Sequence, residues 1–236
     1  MMKNLFLLFS FLFLVCCSLD VENDSQKNIS DITSQFSTKA NLLNKEYYKK
    51  HSLHEVGKNG DFGLGTLNGV DGELVILDGE FYQVDFSGKV NFPGKLSLTP
   101  FVNVKFFNSE ISAIVKNKNL TDTYSVIDFH NSGNKLAAVK ISGFFNSVKA
   151  RSVQKDTSQT KSLDQIIQDQ AVFNFNNVKG TMVGYYIPSK YYTECFTGYH
   201  FHFISEDKKL GGHVLDFVID STNIYIDFSD SLKLIN

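Results

Sequence analysis

The sequence predicts an α+β fold built from antiparallel or mixed sheets with few helices. Three observations lead there. Short apolar runs with period-two alternation recur along the chain, and glycine turns separate them. Helical stretches are rare and never alternate with strands as βαβ crossovers require. The 236 residues, 42% hydrophobic and 20% charged, suffice for one large domain or two small ones. A net charge of −2 without a long basic run argues against nucleic acid as a partner, because phosphate binding needs a basic footprint.

Residues 1–18 read as an export signal outside the fold. Lys3 gives a positive start, and Leu5 to Val15 is an apolar core too short to span a membrane comfortably. Two processing routes stay open. Leu14-Val15-Cys16-Cys17 is like a bacterial lipobox, which leaves Cys17 lipidated and the chain tethered to a membrane. Cleavage after Ser18 instead releases it. The expected location is secreted, periplasmic or lipid-anchored at the cell envelope. Residues 19–34 are polar and read as a tether, and residues 35–236 as the domain.

Lys39 to Lys50 has a weak helical pattern with Leu42, Leu43 and Tyr47 inward. Gly60 to Leu67 and Val70 to Val84 are short β-runs broken by glycine turns, a meander. The glycine-rich stretch has no Gly-Lys-Ser/Thr ending, so it is not a phosphate loop. Glu73 and Glu80 each end an Asp-Gly-Glu triplet, where a carboxylate is ordinarily solvated. Asn91 to Phe107 is β-like, and residues 108–132 carry no clear pattern. Ala137 to Ile141 and Phe144 to Val153 read as two strands. Arg151 is the only arginine among 23 basic residues, and a planar guanidinium binds carboxylates in a bidentate way that lysine cannot. A short amphipathic helix over 162–168 has Ser162 as N-cap. Phe173 to Val178, Gly180 to Pro188 and Ile224 to Phe228 are further strands.

The densest chemistry lies in Gly198-Tyr199-His200-Phe201-His202-Phe203-Ile204 and Gly211-Gly212-His213-Val214, which hold three of the six histidines. Residues two apart on a strand share a face, roughly 7 Å apart, so His200 and His202 project together. Ser205 to Gly212 is polar and ends in two glycines, a hairpin loop. A register pairing His202 with His213, or one two residues away, gathers three imidazoles. Such a set suits a divalent transition metal, zinc first, with a position left open for substrate. The other reading is a histidine-rich strand without metal. Cys195, five residues before His200, is a buried or idle thiol or else a fourth ligand.

Taken in order, these pieces resemble one known family, the α-acetolactate decarboxylases. The matching stretches are Gln35-Phe36-Ser37-Thr38, Gly60-Asp61-Phe62-Gly63-Leu64-Gly65-Thr66, Asp71-Gly72-Glu73, Asp78-Gly79-Glu80-Phe81-Tyr82 and Thr99-Pro100-Phe101. They continue with Ile141 to Phe145, Arg151-Ser152-Val153, Phe173 to Thr181 and the histidine hairpin. The resemblance implies an α+β fold of two similar β-rich halves, about 35–135 and 136–236, often paired as a homodimer. It implies a carboxy-lyase that decarboxylates 2-acetolactate to acetoin and CO2 in the acetoin/butanediol pathway. By position it puts zinc, or another divalent transition metal, on His200, His202, His213 and Glu73. It makes Glu73 and Arg151 catalytic, and Thr66 and Arg151 substrate-binding.

One family feature has no counterpart before Asn236: a further glutamate carried to the metal by a tail beyond the last strand. Glu80 or a nearby acid substitutes, or water does, or activity is weakened. The alternative function that follows is a catalytically impaired, exported metal- or small-molecule-binding protein on the same scaffold. A metal oxygenase of the cupin kind rests on the hairpin alone, and the motifs before residue 110 argue against it.

Overall fold

The computed structural model of the chain describes residues 31–49 and 51–236. The export signal over 1–18, with Cys17, and tether residues 19–30 lie outside them. In chain order the strands are β1 (Ile32–Phe36), β2 (His51–Ser52), β3 (Phe62–Leu67), β4 (Asp71–Leu77), β5 (Glu80–Val84), β6 (Val90–Asn91) and β7 (Leu98–Thr99). They continue as β8 (Phe101–Lys105), β9 (Ile111–Asn119), β10 (Leu136–Ser152), β11 (Ala171–Ile187), β12 (Gly198–Ser205), β13 (Gly211–Ser229) and β14 (Ser231–Ile235). The helices are short: α1 (Lys39–Leu43), α2 (Leu53–Val56), α3 (Leu120–His130) and α4 (Leu163–Gln168). The α+β expectation therefore holds, with mixed and antiparallel sheets.

Seven strands form one sheet in the order β14-β1-β8-β3-β4-β5-β6, and β9 to β13 form a second, while β2 and β7 make a small ribbon. The second sheet curls on itself. β10 pairs with both β11 and β13, and β12 bridges those same two strands. The sheets exchange segments: β9 joins the second sheet, and β14 pairs in parallel with β1 in the first.

Period-two alternation decides what lies between the sheets. On β4, Val75 and Leu77 face the second sheet, while Leu74 and Ile76 pack beneath α2 with Leu53 and Val56. On β12, Phe201 and Phe203 enter the second sheet's own core, while Ile204 joins Leu64, Val75 and Val84 between the sheets. Glu73 and His202 share the parity of those intersheet residues, so the pleat itself turns them toward each other.

Several segments differ from their sequence expectation. Residues 32–34, read as tether, belong to β1; their polar side chains are buried, and Thr33 Oγ1 lies 2.8 Å from Ser229 Oγ. Leu43 is exposed, because α1 ends there and only Leu42 turns inward. β10 and β11 are each one long strand where two were expected. Gly143, which suggests a break, lies inside β10 at φ +153°, where a Cβ would sit 2.4 Å from the Ser221 carbonyl oxygen of β13. Residues 108–132 form an edge strand and a helix capped by the Asn119 side chain, which accepts from the Asp122 amide. Their pattern is faint because both faces of β9 meet solvent in part.

Candidate active site and metal centre

The site sits where the histidine hairpin meets β4 and β3. His202 pairs directly with His213 across the hairpin, as the first of the two expected registers requires. Gly211-Gly212 makes that approach possible. Gly212 adopts φ +140°, and a Cβ there would lie 2.6 Å from the Arg151 carbonyl oxygen. Arg151 in turn stands opposite His213 on β10, just after a register shift between Lys149 and Ala150. Such irregularities re-aim side chains beside sites.

His200 Nε2 lies 3.1 Å from His202 Nε2 and 3.0 Å from His213 Nδ1. The Leu74 carbonyl, 2.8 Å from His202 Nδ1, can only accept, so that ring carries a proton on Nδ1 and points its Nε2 inward. Glu73 Oε2 is 3.1 Å from the same Nε2. Burial pushes the His200 and His213 pKa values well down, helped by the Arg151 charge, so neutral imidazoles face the centre at ordinary pH. Neutral rings and a carboxylate are the state that binds a metal. The three histidines form a group able to hold one.

Burial opposes ionisation of Glu73, but the Arg151 guanidinium and His202 outweigh it and hold the carboxyl below its ordinary range. Arg151 Nη1 donates to Glu73 Oε1 at 2.7 Å, and both side chains are largely buried. Thr66 sits at a bulge between Gly65 and Leu67, and its hydroxyl donates to the Gly72 carbonyl at 2.7 Å. A cavity of about 260 Å³ joins Thr66, Glu73, Arg151 and the three histidines at one end. The six residues that the resemblance assigns to the site therefore line one cavity.

A family model described as alpha-acetolactate decarboxylase matches residues 34–235. The chain belongs to the alpha-acetolactate decarboxylase family. It is 36% identical to the alpha-acetolactate decarboxylase of Methanosarcina mazei, over 87% of this chain and 72% of that one. It is 33% identical to that of Bacillus subtilis, over 85% and 79%. The crystal structure of the alpha-acetolactate decarboxylase from Bacillus subtilis strain 168 superposes with a TM-score of 0.83 at 33% identity, covering 86% of this chain and 88% of that one.

Two alternatives that the sequence left open find no support among the described residues, Glu80 as a substitute acid and Cys195 as a fourth ligand. Glu80 does not reach the site. It is exposed and pairs with Leu77, four strand residues from Glu73, roughly 13 Å along the sheet. Among the described residues, Glu73 is the one carboxylate lining the cavity. Cys195 is the buried thiol of the two readings. It is buried among Leu64, Tyr185 and Ile187, and burial pushes its thiol up to about 12. The sequence reading also missed the cavity's apolar end, formed by Leu42, Val70, Phe101, Leu163, Ile167 and Phe196. The four-residue spacing of Leu163 and Ile167 was its one visible trace.

Proposed function

We propose that this protein is a metal-dependent carboxy-lyase that converts 2-acetolactate to acetoin and CO2. The observation that carries the reading is the convergence of His200, His202, His213 and Glu73 beside Arg151, within a member of this family. The donor set fits zinc or another divalent transition metal.

The bond that breaks joins the carboxyl carbon to C2, which also carries the hydroxyl and a methyl. CO2 leaves, and the bonding pair passes into the neighbouring ketone to give an enediolate. A proton delivered to carbon then completes acetoin. A divalent metal held by His200, His202, His213 and Glu73 would supply a Lewis acid for the negative charge that develops. Arg151 pairs with the carboxylate of the incoming substrate, using guanidinium N–H groups not engaged by Glu73. Glu73, held ionised, fixes Arg151 and offers its other oxygen at the histidine centre. In the resting state it therefore accepts protons rather than donates them. Thr66, whose proton is committed to Gly72, presents an oxygen able to accept the substrate hydroxyl.

The proposal extends to a homodimer, supported by the family resemblance, and to export, supported by the apolar run Leu5 to Val15. Sedimentation and cell fractionation test these. Acetoin formation from 2-acetolactate, abolished by His200→Ala together with metal content, tests the activity; turnover retained in His200→Ala protein removes the metal from the reading.

A further inference from the structure

The catalytic reading uses one end of the cavity. The other end is apolar, and a short helix supplies much of its wall. α4 opens on a capping box: the Ser162 hydroxyl accepts from the Gln165 amide, and Gln165 Oε1 accepts from the Ser162 amide. Leu163 and Ile167, four residues apart, occupy the same side of the helix and line the cavity. Ile166 is instead buried with Leu42, Val70, Phe101 and Val153. Leu163 and Ile167 are only partly buried, and Leu163 also packs against that cluster. Phe196, edge-on to Phe101 at 5.8 Å between ring centroids, closes the same end.

We infer that Leu163 and Ile167 are specificity-determining residues that set how large the substrate's alkyl groups can be. The inference rests on the proposed decarboxylation. The carboxylate, ketone and hydroxyl are the polar groups of 2-acetolactate, and the Arg151, Glu73 and histidine side chains that can meet them contact one another. Two methyl groups are what remains for the apolar end. At about 260 Å³ the cavity lies below the roughly 300–1,000 Å³ of drug-sized sites, so the reach of one wall decides what fits.

The test compares kcat/KM for 2-acetolactate, its homologue with ethyl on C2, and its homologue with propanoyl in place of acetyl. The proteins are wild type, Leu163→Ala, Ile167→Ala, Ile167→Phe and Leu43→Ala. Leu43 is 52% exposed and does not line the cavity, so it serves as the control. One methylene in an apolar pocket is worth roughly tenfold or more in discrimination. For at least one homologue, its ratio to 2-acetolactate rises about tenfold in an alanine variant and falls in Ile167→Phe, with Leu43→Ala unchanged. Ratios equal to wild type in both alanine variants overturn the inference. Wild-type turnover of 2-acetolactate separately tests the functional reading. Where turnover is lost, calorimetry with the ketone-reduced 2,3-dihydroxy-2-alkylbutanoates reads the same wall. A matching change in Kd ratio supports the inference, and unchanged ratios or no binding at all overturn it.

Discussion

Arg151 and Glu73 stand 78 positions apart in the chain and on different sheets, yet guanidinium and carboxylate meet at 2.7 Å. This ion pair fastens the curled second sheet to the first at the point where the histidine hairpin also arrives. It fixes both charges before any substrate enters, and preorganised charges of this kind need no rearrangement during reaction.

Arg151→Lys should keep the fold and lower kcat/KM for 2-acetolactate by about 10²–10³, because an ammonium cannot hold Glu73 and a substrate carboxylate in one plane. Steady-state kinetics beside a thermal melt checks this; activity within a few-fold of wild type contradicts it.

Gly212→Ala should disrupt the site from the backbone. The added Cβ meets the Arg151 carbonyl at 2.6 Å in a conformation that suits glycine. Relief requires β13 to move from β10, carrying His213 away from its partners. A stability loss of about 1–3 kcal/mol, with weakened metal binding, is expected from denaturant titration and metal analysis.

Glu80→Gln should leave acetoin formation unchanged, since Glu80 is exposed at the far end of the β4–β5 hairpin. A large loss of turnover would place it in the machinery after all.

The buried pair of Lys105 and Asp227, 2.7 Å apart, gives a pH prediction. Burial pushes the Asp227 carboxyl up to about 6 from 3.8, although Lys105 and the Asn108 amide oppose it, and burial likewise pulls Lys105 down. The folded chain thus holds the Asp227 proton more tightly than the unfolded chain does. That preference stabilises the fold fully below 3.8 and is lost as pH rises through about 6. The stability difference between wild type and Asp227→Asn should therefore fall between pH 4 and 6. A difference that grows with pH would mean that Lys105 outweighs burial.

The site was legible in the sequence because its chemistry is concentrated. The spacing of His200 and His202 is the strand period, Gly211-Gly212 announces the turn, and the lone arginine marks a place where geometry matters. Glu73 was harder, since an Asp-Gly-Glu triplet looks the same whether solvated or buried; only the family resemblance separated it from Glu80. The apolar wall was hidden because Leu42, Phe101, Leu163 and Phe196 come from four distant segments that tertiary packing alone unites. β1 escaped for the opposite reason. Its polar side chains pass for a tether, and only the fold shows Thr33 buried against Ser229 and the strand paired with β8.

The central claim is tested most directly by assaying acetoin from racemic 2-acetolactate with the purified full chain, reading metal content on the same sample beside a chelated control. The account predicts bound divalent metal and acetoin above the spontaneous rate, lost on chelation and regained when metal returns. Bound metal with no acetoin, or acetoin that survives complete chelation, would contradict it.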